Sequence, residues 1–271
     1  MIQPLRTPPP SEDEDKLYLE SLVGQLTGWD NPRQRLAKAF KRDEFILYQQ
    51  RIERLERRER DTLFVEVLVR HQDEERHLTP PGAFLPVLEY YNMMPMLDRW
   101  VMRRVVEWYT SEAHDTAIRF SVNVAPQTLL DPALVPFVRA LLKKHHAPEG
   151  TLCFETPDST LVAHGSAMGP VVRGLQSLGC RIAIGSVGRQ SVSFKLIHGI
   201  GAAYVKIDGG LVRELHRDGV AFAKIGALHR VCRSAGMETV AEFVEEPETI
   251  AKLKAIGVDY AQGFGISKPC A

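Results

Sequence analysis

The chain has 271 residues, 34 Lys+Arg against 34 Asp+Glu, 44% hydrophobic residues and 4 Cys. A formal charge of zero argues against a general nucleic-acid binder, which needs a basic footprint to release counterions from phosphates. No run approaches the roughly 18 apolar residues of a membrane span, the N-terminus lacks a signal-peptide core, and the cysteines show no paired spacing, so the chain reads as cytoplasmic and globular with reduced thiols.

Residues 1–10 carry four prolines and no periodicity, and are expected to be disordered. Residues 11–30 open on Ser11-Glu12-Asp13-Glu14, a capping-box pattern, and continue with Leu19, Leu22, Val23 and Leu26 on one helical stripe. This segment is expected to be a helix and linker ahead of one domain over residues 31–271. In that domain a helix over Pro32–Arg42 leads into an apolar run at Phe45–Tyr48, and Glu53–Asp61 reads as a charged connection. Strands are predicted at Leu63–Arg70, Phe120–Val124, Leu152–Glu155, Arg181–Ile184, Tyr204–Asp208, Glu238–Glu242 and Asp259–Gln262. Helical patterns separate them, such as Ile225, Leu228, Val231, Cys232 and Ala235 before Gly236. Repeated strand–helix alternation without an internal linker predicts an α/β fold: a parallel sheet closed into a (β/α) barrel.

A strand buried on both faces should be continuously apolar, yet nearly every strand here ends on polar residues. These are Glu66 and Arg70, Asn123, Glu155, Lys206 and Asp208, Glu242, and Gln262. The period of two places Phe64, Glu66, Leu68 and Arg70 on one face, and Tyr204, Lys206 and Asp208 on one face of theirs. In a barrel such ends converge on one mouth. Glu66, Glu155, Glu242, Asn123 and Asp208 offer hard oxygen donors, suited to magnesium or manganese rather than zinc. No phosphate loop, dinucleotide fingerprint or nucleophile elbow is present.

In this order the residues resemble the EAL domain family of bacterial cyclic di-GMP phosphodiesterases, from about Pro32 to Pro269. Glu66-Val67-Leu68-Val69-Arg70 is similar to the family's Glu-Ala-Leu-Leu-Arg signature, and Leu47-Tyr48-Gln49-Gln50 to its entry strand. Ser121-Val122-Asn123-Val124, Phe154-Glu155, Lys206-Ile207-Asp208, Val240-Ala241-Glu242-Phe243-Val244-Glu245 and Gln262-Gly263-Phe264 continue the match. The resemblance implies a modified TIM-like barrel whose first strand runs against the others. It also implies a mouth that holds cyclic di-GMP over two divalent cations. By position it assigns Glu66, Asn123, Glu155 and Asp208 to the metal site, and Lys206 and Glu242 to catalysis. Gln50, Glu66, Leu68, Arg70, Glu245 and Gln262 are assigned to the nucleotide.

The chain departs from the pattern most sharply at its central metal motif. Where the family has Asp-Asp-Phe-Gly followed by Thr-Gly-Tyr-Ser-Ser, it reads Gly185-Ser186-Val187-Gly188-Arg189-Gln190-Ser191-Val192-Ser193. Two-metal chemistry needs cations about 3.5–4 Å apart, whose repulsion anionic ligands must offset. Gly185 offers no ligand and Ser186 a neutral one. Asp158 stands one methylene short of the family's supporting Glu, and His71 replaces a common Trp. The expectation is a catalytically inactive EAL domain without a cofactor, acting as a cyclic di-GMP receptor or regulatory module. Two alternatives accompany it. One is a nucleotide-independent protein–protein interaction module, with a protein partner or a second copy of the chain. The other is a weak phosphodiesterase yielding pGpG, the only case that requires magnesium or manganese.

Overall fold

The computed structural model describes residues 31–56, 62–72, 78–111, 117–189, 193–215 and 217–271. The expected disorder over 1–10, the helix over Ser11–Leu26, the end of the Glu53–Asp61 connection and residues 190–192 of the Gly185–Ser193 loop lie outside them. The described chain divides into two compact units.

The larger unit, Leu47–Leu68 with Met94–Ala271, holds the barrel. Its strands are β1 (Phe45–Arg54), β2 (Leu63–Gln72), β4 (Ile118–Asn123), β5 (Leu152–Pro157), β6 (Arg181–Val187), β7 (Tyr204–Ile207), β8 (Glu238–Ala241) and β9 (Tyr260–Ala261). The short β3 (Leu78–Thr79) pairs with the end of β2, outside the ring. Sheet order runs β1-β9-β8-β7-β6-β5-β4-β2, and a β1–β2 pairing closes it. All neighbours from β2 through β9 pair in parallel, whereas β1 pairs antiparallel with β9, Glu53 opposite Ala261. The reversed first strand is therefore present. Glu53 and Arg54, expected in a charged connection, belong to β1: Arg54 reaches Glu238 at 2.7 Å and lies over the Tyr260 ring, so strand pairing absorbs the charge.

Helices separate the parallel strands as right-handed crossovers require. They include α1 (Pro32–Arg42), α2 (Pro81–Tyr90), α3 (Met94–Ser111), α4 (Pro126–Leu129), α5 (Leu134–His145), α6 (Asp158–Gln176), α7 (Phe194–Gly199), α8 (Gly209–Glu214), α9 (Gly219–Ser234) and α10 (Pro247–Ile256). Among the described residues no helix is long and apolar enough to cross a membrane. Cys153, Cys180 and Cys232 are buried free thiols.

A single layer of side chains fills the barrel: Ile52, Phe64, Cys153, Ala183, Tyr204, Val240 and Tyr260. Phe64 anchors it, with ring centroids 4.9 Å from Tyr204 and 5.8 Å from Tyr260. Most members of this layer lie two residues before a polar or glycine position in or just past their own strand: Phe64 before Glu66, Cys153 before Glu155, Ala183 before Gly185, Tyr204 before Lys206, Val240 before Glu242, and Tyr260 before Gln262. On the antiparallel β1 the order inverts, and Gln50 precedes Ile52. The side-chain period of two therefore stacks one polar layer directly on one apolar layer.

The smaller unit, made of the described residues among 31–46 and 69–93, includes α1, α2, β3 and the last residues of β2. Asn31 caps α1 by accepting from the Gln34 amide at 3.1 Å, and basic Lys41 and Arg42 close it. Glu44, 7% exposed, is held by Arg35 and by His71 Nε2 at 3.2 Å, and Phe45 packs on Phe84.

Phe64→Ala should cost about 3–5 kcal/mol of unfolding free energy, because the ring supports the layer under the polar mouth. Denaturant titration measures it, and a loss below about 1 kcal/mol would mean that the barrel interior collapses around the cavity.

Candidate functional site

The polar layer lies within the larger unit, and Lys206 is its centre. The side chain leaves β7 inward, is 1% exposed, and puts Nζ 2.8 Å from Glu66 Oε2, 2.7 Å from Glu155 Oε1 and 3.1 Å from Glu242 Oε1. Strands β2 and β5 and the residue that follows β8 thus each send a carboxylate to one ammonium. Asn123 Nδ2 donates to Glu66 Oε1 at 2.8 Å, and Gln262 Nε2 donates to Glu66 Oε2 at 2.7 Å. Gln262 Nε2 also reaches Gln50 Oε1 at 3.0 Å, while Gln50 Nε2 donates to the Ser267 carbonyl at 2.8 Å. Ser121 Oγ donates to Glu155 Oε2 at 2.7 Å. Sequence reasoning stopped at Asn123 and missed Ser121. The alternation of β4 carries the signal, since residues 121 and 123 share a face.

Several of the other expected residues stand apart from this network. Asp208 caps α8, accepting from the Gly210 amide at 3.0 Å, and raises the pKa of Glu242 only through its charge. Glu245 is exposed and 3.9 Å from Arg213. Leu68 is half-buried. Arg70 belongs to the smaller unit, where its Nη1 donates to the Val69 carbonyl at 2.8 Å.

Gly185 borders the cluster. A Cβ at that position would lie 3.2 Å from Glu155 Oε1, the oxygen that meets Lys206. Ser186 beside it has φ of 60°, a left-handed conformation rare for a residue other than glycine, asparagine or aspartate. Between Ile184 and Val187 the pairing with β7 shifts register, so the β6 end is irregular where it meets the mouth.

Charges in this layer set one another. Burial strongly opposes a charged Lys206, but the carboxylates of Glu155, Glu66 and Glu242 outweigh it and raise its pKa well above the ordinary value. Burial also pushes Glu66 upward, and here the Lys206 ammonium with the hydrogen bonds from Lys206, Gln262 and Asn123 wins, holding the carboxyl low. Burial raises Glu155 to about 7, aided by Glu66 and Glu242 and only partly offset by Lys206. Glu242 is likewise raised by burial. One ammonium therefore faces three carboxylates, and the excess negative charge is relieved by proton uptake at Glu155.

Such oxygen-rich side chains are of the type that holds a divalent cation. Each carboxylate oxygen of Glu66 and Glu155 already accepts from a protein donor, and the point where the three glutamates converge is taken by Nζ. Gly185 adds no donor atom. Among the described residues no group of three or more His, Cys, Asp or Glu is arranged to hold a metal ion. As arranged, the side chains do not fit a pair of divalent cations.

Known proteins place this architecture. The EAL domain family matches residues 33–269. Cyclic di-GMP phosphodiesterase PdeB of Shewanella oneidensis is 31% identical over 241 residues, covering 87% of this chain and 28% of that protein. Cyclic di-GMP phosphodiesterase PdeF of Escherichia coli is 28% identical over 236 residues, covering 87% and 31%. The chain thus spans about a third or less of these relatives' length. Among solved structures, the FimX EAL domain of Pseudomonas aeruginosa bound to c-di-GMP aligns with a TM-score of 0.82 at 23% identity over 88% of this chain and 96% of that one. The PaMucR phosphodiesterase in its c-di-GMP complex aligns at 0.77 and 26% identity over 88% and 96%.

Two outcomes test the charge balance. Lys206→Met leaves three buried carboxylates without their cation and should cost about 3–5 kcal/mol at neutral pH, recovering in part as acid protonates them. In the parent protein the folded state of Glu155 holds its proton to about 7, above the ordinary 4.5. Folded protein then binds more protons than unfolded across that window, so the Glu155 contribution to stability is greatest below it and is lost as pH rises through 7. Glu155→Gln should flatten this slope in pH-dependent denaturant unfolding, and an unchanged slope would place the titration elsewhere. The carboxyl of Glu66, held low, acts in the opposite sense, its contribution being lost only as pH falls below its ordinary value. The barrel and its inward-facing mouth, with the family match over nearly its whole described length, make this chain a member of the EAL domain family.

Proposed function

We propose that this chain is an EAL domain of cyclic di-GMP signalling that binds the dinucleotide without metal and does not cut it. One observation carries the reading: the Lys206 ammonium sits where Glu66, Glu155 and Glu242 converge, beside a glycine that supplies no ligand. Two close cations need more anionic ligands than the mouth offers, and to admit them Glu66, Glu155 and Glu242 would have to leave Lys206. A buried ion cluster that loses its internal partner is penalised heavily. The layer keeps an excess of carboxylate even with Lys206, so the dinucleotide phosphate is met by cationic side chains outside it, Arg70 among those proposed.

The relatives named as cyclic di-GMP phosphodiesterases and the solved EAL structures in complex with c-di-GMP support the choice of ligand. Gln50, Glu66, Leu68, Arg70, Glu245 and Gln262 are the residues proposed to contact it. Arg70 pairs with phosphate because guanidinium presents a planar fork to two oxygens. Lys206 and Glu242, which occupy the catalytic positions of the resemblance, act here as structural charges, and neither magnesium nor manganese is required.

A second reading draws on Phe243 and Phe264, 53% and 61% exposed near the ends of β8 and β9. Large exposed aromatics mark protein contacts, and they favour an interaction module indifferent to nucleotide.

Calorimetry with cyclic di-GMP, in EDTA and in magnesium, with chromatography of the same samples for pGpG, separates the readings. The expected result is equal affinity in both buffers, no pGpG, and about tenfold to hundredfold weaker binding in Arg70→Ala. Magnesium-dependent pGpG that disappears in Glu66→Ala would establish an enzyme instead. Absence of heat in both buffers, with a protein partner captured equally by parent and Arg70→Ala, would establish the interaction module.

A further inference from the structure

The opposite end of the barrel holds a cleft that the mouth does not use. It has a volume of about 540 Å³ and lies at the N-terminal ends of β4 to β7, between the residues that lead into those strands. Its charged walls are Arg119, Arg181 and Glu149, with Gln176 at one side. Arg119 is half-used. Its Nε donates to the Gly150 carbonyl at 3.2 Å and its Nη1 to the Tyr204 hydroxyl, which aims the guanidinium and leaves both N–H groups of Nη2 without a hydrogen-bond partner among the described residues. Arg181, exposed at the first position of β6, makes no side-chain hydrogen bond or ion pair among the described residues.

The end of a barrel that receives helix C-termini would ordinarily repel anions. Here those carbonyls are quenched. Gln176 Nε2 donates to the carbonyls of Ile200 at 3.2 Å and Gly201 at 2.8 Å, and the Gly179 carbonyl accepts from the Gly150 amide at 3.0 Å. Cys180, also in the wall, stays neutral because burial pushes its thiol up to about 12. What remains is two guanidiniums against one carboxylate, a net positive cleft.

We infer that this cleft binds a small phosphomonoester carrying hydroxyl groups, at a site separate from the mouth. The phosphate takes the remaining Nη2 of Arg119 through a single nitrogen and the guanidinium of Arg181, whose fork can pair with two oxygens. Glu149 accepts from hydroxyls on the body of the ligand. The cleft falls in the size range of small-molecule sites, ample for a sugar phosphate and larger than phosphate alone requires. The inference does not rest on the nucleotide reading of the mouth.

Thermal unfolding of the full chain with inorganic phosphate, ribose 5-phosphate and ribose, at matched ionic strength, tests it. Ribose 5-phosphate should raise Tm more than phosphate, and ribose not at all. Arg181→Gln, a change at an exposed side chain, should keep the parent Tm without ligand and lose most of the ribose 5-phosphate shift. Because phosphate stabilises proteins generally by exclusion, the difference between parent and variant is the quantity read. Glu149→Gln should narrow the preference for ribose 5-phosphate over phosphate. Equal shifts in parent and Arg181→Gln, or no shift from ribose 5-phosphate at millimolar concentration, would overturn the inference.

Discussion

One buried ammonium governs this molecule. Lys206 is the only cation among the described residues that contacts Glu66, Glu155 and Glu242, and the strands that carry those acids must stay in register for it to do so. A lysine so enclosed is tolerable only because carboxylates surround it, and the carboxylates are tolerable only because of the lysine and the amide donors of Asn123 and Gln262. Removing any one member unbalances the rest. The arrangement is therefore both the centre of the mouth and a constraint on the barrel. It also makes glycine at position 185 consequential, since the Glu155 oxygen that meets Lys206 lies against the space a side chain there would enter.

The stacking of polar on apolar side chains explains how so much charge is carried at the end of a packed interior. Phe64, Tyr204 and Tyr260 hold the layer beneath by ring contacts, and the glutamates and Lys206 rise one alternation above them. Packing and electrostatics are thus set by one geometric rule, the period of two along each strand. A slip of one residue in β5 would turn Glu155 outward among apolar helices and Phe154 inward to the ammonium.

Much of this was legible from residues alone, because the rule has a clear sequence form. Apolar runs ending in Glu66, Asn123, Glu155, Lys206, Glu242 and Gln262 announce strands whose ends meet, and they do meet. Strand and helix alternation announces the barrel for the same reason. Two features lacked such a signal. Strand β1 continues through Glu53 and Arg54 because pairing with β9 and the Glu238 and Tyr260 contacts absorb charged side chains that would otherwise suggest a solvated turn. Ser121 shares the inward face of Asn123 by the alternation of β4, but a lone hydroxyl inside a strand gains its role only from the Glu155 carboxylate that it meets. Asp208 illustrates the converse: its place in the motif suggests a ligand, whereas its backbone position makes it a helix cap.

Closure of the ring on the first strand has a topological consequence. Gln50, near the beginning of the described chain, joins Gln262 and the Ser267 carbonyl near its end, 212 and 217 residues away in sequence. Gln49 bridges Cys270 in the same seam. The polar mouth is consequently completed by contacts of very long sequence separation, of the kind that form slowly. A ligand held there would touch both ends of the ring, so its binding would add to the stability of the closing seam.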